Sequence, residues 1–233
     1  MQGRAVSAFR GFPRQLFTFF EGLCEDNSKA YWTANKATWE EQVRQPMLAL
    51  LADLALEFAP MRMFRPNRDV RFARDKSPYK LWAGATSECH AVGGAGYYLR
   101  VSASGLVTGC GAMAMARDQL QRFRAALDDD DRGHEFEQLL TTLAARSLPV
   151  TCGAEPPLKT GPPGYPSTHP RAELLGWKGA VIIQEYDKSD WMHTPVALDR
   201  IREVWHGAQP LKEWLDAIVV ATDEPVRSAR GGQ

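Results

Sequence analysis

The chain has 233 residues, enough to bury a full core as one large domain or as two small ones. Its 28 basic residues balance 28 acidic ones, and a formal charge of zero speaks against nonspecific nucleic-acid binding as the main task, because such binding draws on phosphate neutralisation. With 44% hydrophobic and 24% charged residues the composition is that of an ordinary soluble protein, and no window approaches the roughly 20 consecutive apolar residues that span a bilayer.

The opening MQGRAVSAFRGFPRQ lacks the apolar run of a signal peptide. Cys24, Cys89, Cys110 and Cys152 stand far apart with no CxxC pair, unlike a secreted disulfide framework. Both features predict a cytoplasmic protein with no membrane partner. Gly11-Phe12-Pro13 opens a helical pattern in which Leu16, Phe17, Phe20, Leu23 and Cys24 recur at helical spacing. Asp26-Asn27-Ser28 ends that helix and offers caps to a second one carrying Tyr31, Trp32, Trp39 and Val43. Pro46 starts or kinks a further helix with the stripe Met47, Leu50, Leu51, Leu54 and Phe58, which Pro60 stops.

The character then changes. Residues 68–72 alternate, which predicts a strand with Asp69 and Arg71 on one face and Val70 and Phe72 on the other. Asp75-Lys76-Ser77-Pro78 is turn chemistry. Gly93-Gly94-Ala95-Gly96 reads as a loop and fits no dinucleotide fingerprint. Residues 97–102 and 106–110 form a hairpin turning at Ser104-Gly105. Helix returns over 117–127, and the acidic run Asp128 to Asp131 is a solvated helix end or loop. A short helix follows with Phe136, Leu139, Leu140 and Leu143. Six prolines between 153 and 170 force an extended, irregular connection. Residues 180–186 are the best strand candidate. Thr194-Pro195 caps a helix with Leu198, Ile201 and Trp205, and a last helix carries Leu211, Trp214, Leu215 and Ile218. The expected fold is α+β: one domain over 1–221, a helical N-terminal part, a central, largely antiparallel sheet and C-terminal helices, then a loose tail over 222–233.

Residues 62–80, RMFRPNRDVRFARDKSPYK, gather seven cations and two acids, so this segment carries +5 in a neutral chain. Concentrated guanidinium groups repel unless an acid from the protein or a ligand pairs with them. Three arrangements meet that demand. In the first, Arg65, Arg68, Arg71, Lys76 and Lys80 line a pocket for a small phosphate- or carboxylate-bearing ligand, with Asp69 and Asp75 orienting the guanidinium groups. In the second, Asp69 and Asp75 pair internally and staple the fold. In the third, the cations form a stripe for nucleic acid, with Phe72 and Tyr79 as stacking faces. The order given is the order of preference. Tyr79 is also a candidate donor in the pocket.

The proline-braced segment 159–170 holds His169, a donor, acceptor or general base near neutral pH. It is the best candidate catalyst, and the bracing predicts that it lies near the arginine segment. Asp69, Asp75 and His169 show no ligand spacing, and the surrounding cations oppose a divalent ion, so no metal is expected. Cys89-His90 reads as a thiol beside an ordinary histidine. No GxSxG elbow or Walker loop occurs, and the residues assign no cofactor.

From Arg65-Pro-Asn-Arg68-Asp69 through Arg71-Phe72, Asp75-Lys76-Ser-Pro-Tyr79-Lys80, the chain resembles the signature of the bacterial DUF2461 family. Gly11-Phe12-Pro13, Asn27 to Trp32, Pro46, Gly96-Tyr97-Tyr98, Gly109 to Gly111, Leu158 to Pro170, Lys178 and Pro210-Leu211 fit in order. The resemblance spans about Phe12 to Ile218 and implies a single domain and importance for the arginine segment. It implies no reaction, substrate or cofactor. Ala73-Arg74 stands where the family commonly has a small polar residue followed by Lys, and residues 86–94 diverge. The functional expectation is a cytoplasmic protein with a cationic pocket for a small anionic ligand, with catalysis left open. The alternative is a non-catalytic module that binds nucleic acid or a protein through the same patch.

Overall fold

The structure, a computed structural model, describes residues 8–71, 73–87 and 94–220. Phe72, the Cys89-His90 pair, Gly93 and the tail over 222–233 lie outside the described residues.

The first part is helical: α1 (Arg14–Glu25), α2 (Lys29–Ala34), α3 (Lys36–Thr38), a π-helical turn (Trp39–Arg44) and α4 (Gln45–Ala55). Pro13 sits at the N-cap of α1, which buries Leu16, Phe17, Phe19, Phe20 and Leu23. Ser28 caps α2, its Oγ accepting the Tyr31 N–H at 3.1 Å. Pro46 lies in the first turn of α4. It lacks an N–H, and in an unbroken α-helix its ring strikes the carbonyl four residues earlier. The helix meets it with a wider turn, in which the Gln45 N–H donates to the Glu40 carbonyl five residues back.

Six strands follow: β1 (Met61–Met63), β2 (Trp82–Ser87), β3 (Gly96–Ser102), β4 (Gly105–Ala112), β5 (Val150–Thr151) and β6 (Ala180–Asp187). They form an antiparallel sheet in the order β1-β2-β3-β4-β6-β5. The expected hairpin at Ser104-Gly105 and the strand from Ala180 are both present. In β3, Tyr97, Leu99 and Val101 are buried, while Tyr98 and Arg100 lie on the more open face. Helices α5 (Arg117–Asp128), α6 (Asp130–Ala145), α7 (Ala172–Leu175) and α8 (Val196–Ile218) complete the α+β architecture.

Packing divides the chain into two compact units. The first contains the described residues of Met1–Glu88, Tyr98–Thr108 and Glu185–Glu203. The second contains those of Cys89–Tyr97, Gly109–Gln184 and Val204–Gln233. The division cuts through β3, β4, β6 and α8, and the proline-rich stretch lies wholly inside the second unit. The first unit packs α1, the π turn and α4 around Phe17, Phe20, Trp39, Val43 and Met47. In the second, Phe123, Phe136, Trp177 and Trp214 interlock, with Phe136 and Trp214 centroids 4.4 Å apart.

Several expectations change. Residues 68–71 form no strand; their backbone closes a loop in which Asp75 pairs with Arg68 and Asp69 with Arg71. The helix expected after the acidic run is 16 residues long and begins inside the run, where Asp129 caps it by accepting the Arg132 N–H at 3.0 Å. The two C-terminal helices are one, α8, with Pro210 inside it. A proline within a helix costs about 3 kcal/mol. Here the stripe Ile201, Val204, Trp205, Ala208, Leu211 and Leu215 is buried on both sides of it and holds the helix together. Among the described residues, no helix is long and apolar enough to cross a membrane.

Candidate functional site

The arginine segment leaves β1 and returns into β2, and its base is pinched shut. Arg68 N–H donates to the Pro78 carbonyl at 2.9 Å and Lys80 N–H to the Pro66 carbonyl at 2.8 Å, with Asn67 bridged to Tyr79. Tyr79 is the anchor. It is 8% exposed, and its ring stacks on Trp32 at 4.2 Å between centroids and 11° between planes. Asn27, between α1 and α2, grips its backbone at both polar groups. Tyr79 is therefore packed inward as part of the frame.

Each acid organises one arm of the loop. Asp75 accepts from the Ser77 N–H at 2.8 Å, from the Ser77 hydroxyl at 2.6 Å and from the Arg68 guanidinium. These bonds, those of Ser77 first, hold its carboxyl well below the usual range. Asp69 accepts a two-pronged bond from Arg71, Nε at 2.9 Å and Nη2 at 2.6 Å, which holds its carboxyl at about 2. The two pairs differ in setting: the Arg68 side chain is 16% exposed and that of Arg71 77%. Asp69 is an internal partner for an arginine, as its position among cations suggests, but that arginine lies at the surface. Lys76 Nζ donates to the Val70 carbonyl at 2.9 Å.

Lys80 is placed differently. Its Nζ donates to the carbonyls of Arg65 and Asn67, both at 2.8 Å. Burial, then the charges of Arg65 and Arg68, push its ammonium below its ordinary value. The fold thus brings Arg65, Arg68 and Lys80 close enough to repel. Arg65 is exposed.

His169 belongs to the second unit and takes its partners there. The Arg171 N–H donates to its Nδ1 at 3.0 Å, so the ring proton sits on Nε2, which donates to Asp128 Oδ1 at 3.1 Å. Its ring meets Tyr165 edge-on at 6.3 Å. Both nitrogens are occupied, and no lone pair remains for a substrate proton. The neighbouring Arg171, which the sequence did not single out, is 8% exposed in its side chain. It donates to Glu137 Oε2 at 3.1 Å, to the Leu127 carbonyl at 3.1 Å and to the Asp130 carbonyl at 3.3 Å. A Cβ on Gly133 would lie 2.6 Å from that guanidinium, so only glycine leaves it room across α6. His169 and Arg171 together pin the proline-rich segment to the junction of α5 and α6. Asn27, Trp32 and Arg171 escape sequence reasoning because nothing local marks a cap residue, a helical tryptophan or a lone arginine as a long-range partner.

Among the described residues no group of three or more His, Cys, Asp or Glu side chains is placed to hold a metal ion. The family model described as a conserved hypothetical protein, DUF2461, matches residues 15–214. The chain belongs to the DUF2461 family. The match contains the whole arginine loop as well as the His169–Arg171 pair. No curated protein and no solved structure matches the chain.

Proposed function

We propose that the loop from Arg65 to Lys80 is a cationic site for a small anionic ligand bearing phosphate or carboxylate groups. The observation that carries this reading is the setting of Lys80. Two backbone carbonyls fix its ammonium beside Arg65 and Arg68, and the three like charges repel there. An ammonium has three donors, and two are committed. The third, with the exposed Arg65 guanidinium, fits an oxyanion, which would remove the repulsion and accept charge-assisted bonds. Asp75 and Asp69 supply two negative charges against six basic side chains between Arg65 and Lys80, so the loop keeps a surplus. Tyr79, Asn27 and the Asp75–Ser77 turn act as supports that hold the cations in place. A cytoplasmic location, where phosphate esters are abundant, suits the reading. His169 enters it as a packing residue of the second unit, and no catalytic residue is assigned.

Thermal melts with phosphate, pyrophosphate and dicarboxylates at constant ionic strength test the reading. Ligands that bind the folded state raise Tm by mass action. Wild type is expected to gain, and Arg65→Gln, which alters an exposed side chain, to lose that gain while keeping its ligand-free Tm. Equal shifts in both proteins, or none in either, refute the proposal.

A further inference from the structure

The cations of the loop lie beside an aromatic face. In the first unit, β1 pairs with β2 and β2 with β3 in a register that sets Trp82 opposite Ser102, Gly84 opposite Arg100 and Thr86 opposite Tyr98. Residues two apart on a strand share a face, so Trp82, Gly84, Tyr98 and Arg100 lie on one side of this part of the sheet. It is the more open side: Ala83, Ala85, Leu99 and Val101 are buried on the other, whereas Trp82, Tyr98 and Arg100 remain part-exposed. Phe64 joins them, its ring 5.7 Å from Trp82 at 87° and 6.4 Å from Tyr98. Gly84 is small for a reason. A Cβ there would meet the Leu99 carbonyl at 2.7 Å, and the Trp82 ring edge and Arg100 Cβ at 3.0 Å.

Lys80 connects the two features. Its Nζ stands 5.7 Å from the Trp82 ring centroid while it is held by Arg65 and Asn67. A cationic group that fits an oxyanion therefore adjoins a part-exposed indole flanked by two further rings and Arg100. Inorganic phosphate or a plain dicarboxylate would use only the cations. A ligand with a phosphate about one sugar away from a flat ring would use both.

We infer that the ligand is a nucleotide, with its phosphate on Arg65 and Lys80 and its base on the Trp82–Phe64–Tyr98 face. This inference rests on the anion-site reading and narrows it. Stacking on an aromatic side chain is tolerant of base identity, so the face selects for a base without fixing which one. Arg100, on the same face, is hydrogen-bonded to the Tyr98 hydroxyl and braces that ring.

Calorimetric titration of the full chain with inorganic phosphate and with AMP and UMP tests it. Both nucleotides are expected to bind at least about tenfold more tightly than phosphate, the scale of one base–aromatic stack. Trp82→Ala is expected to cancel that difference. Trp82→Phe, which keeps a ring on the face, is expected to retain most of the difference and controls for folding. Phosphate binding with no preference for nucleotides overturns the inference and leaves the anion site standing. Equal loss of phosphate and nucleotide binding in Trp82→Ala, with Trp82→Phe no better, also overturns it. If neither phosphate nor nucleotides bind, both readings fail. Binding of a single-stranded oligonucleotide without any mononucleotide binding replaces this inference with a nucleic-acid surface.

Discussion

Asn27 holds Tyr79 as a neighbouring β-strand would: its Oδ1 accepts the Tyr79 N–H at 3.1 Å and its Nδ2 donates to the Tyr79 carbonyl at 3.0 Å. One amide side chain satisfies both backbone groups of a buried residue 52 positions away. It ties the end of the arginine loop to the start of α2, whose Trp32 covers the Tyr79 ring.

Asn27→Ala leaves both Tyr79 groups without that partner in a part-buried setting. Loss of about 1 to 3 kcal/mol of stability is expected, read by urea denaturation. Asn27→Asp keeps the acceptor but sets a carboxylate against the Tyr79 carbonyl, so it does not restore wild-type stability.

Gly133 and Arg171 are coupled. Alanine in a helix ordinarily improves on glycine by about 1 kcal/mol. At position 133 the sign reverses, because the added methyl displaces a guanidinium bonded to Glu137, Leu127 and Asp130. Gly133→Ala is expected to destabilise by about 1 to 2 kcal/mol. In an Arg171→Leu background the same change is expected to be neutral or stabilising, and a double-mutant cycle reads the difference.

Asp69 titrates at about 2, below its ordinary 3.8, because of its bonds from Arg71. A carboxyl depressed in the folded state contributes stability above its unfolded value and loses it as pH falls through the folded one. The Asp69 contribution is therefore complete above about pH 4 and fades toward pH 2. Carboxyl-carbon NMR should give that low midpoint, and Arg71→Ala should return it toward 3.8. Since the pair is exposed, Asp69→Asn should lower the neutral-pH Tm by less than the shift alone would give.

Lys80 has the opposite sign. Its ammonium is depressed below 10.5 by burial and by Arg65 and Arg68, so the unfolded chain holds that proton longer. Its contribution to stability rises with pH between the folded value and 10.5 and is level above it. A bound oxyanion favours the charged form. In lysine NMR the Lys80 midpoint should rise on adding a ligand that occupies the site.

His169 should be found as the Nε2–H tautomer, with Nδ1 unprotonated and accepting from Arg171. Nitrogen chemical shifts of the ring report this directly. A protonated Nδ1 at neutral pH would contradict the arrangement.

The sequence by itself determined the periodic parts of this protein. The stripe from Leu16 to Leu23, the alternation around Leu99 and the run from Ala180 each carry their own burial pattern, because one apolar face is enough to choose helix or strand. It also located the charged loop, since seven cations in nineteen residues need partners wherever they lie. The alternation of residues 68–72 misled over its described part, 68–71, because charge pairing, which has no period, outcompeted strand formation there: Asp75 turns back on Arg68 and Asp69 on Arg71. The sequence suggested two C-terminal helices where there is one, because the buried stripe that holds α8 together across Pro210 comes from packing. Which cations stay unneutralised, that Tyr79 turns inward onto Trp32, and that His169 spends both nitrogens on Asp128 and Arg171 were decided only by the tertiary structure. These outcomes depend on partners tens of residues away, and a hydrogen bond or a charge pair responds to distance in space, which the order of residues does not contain.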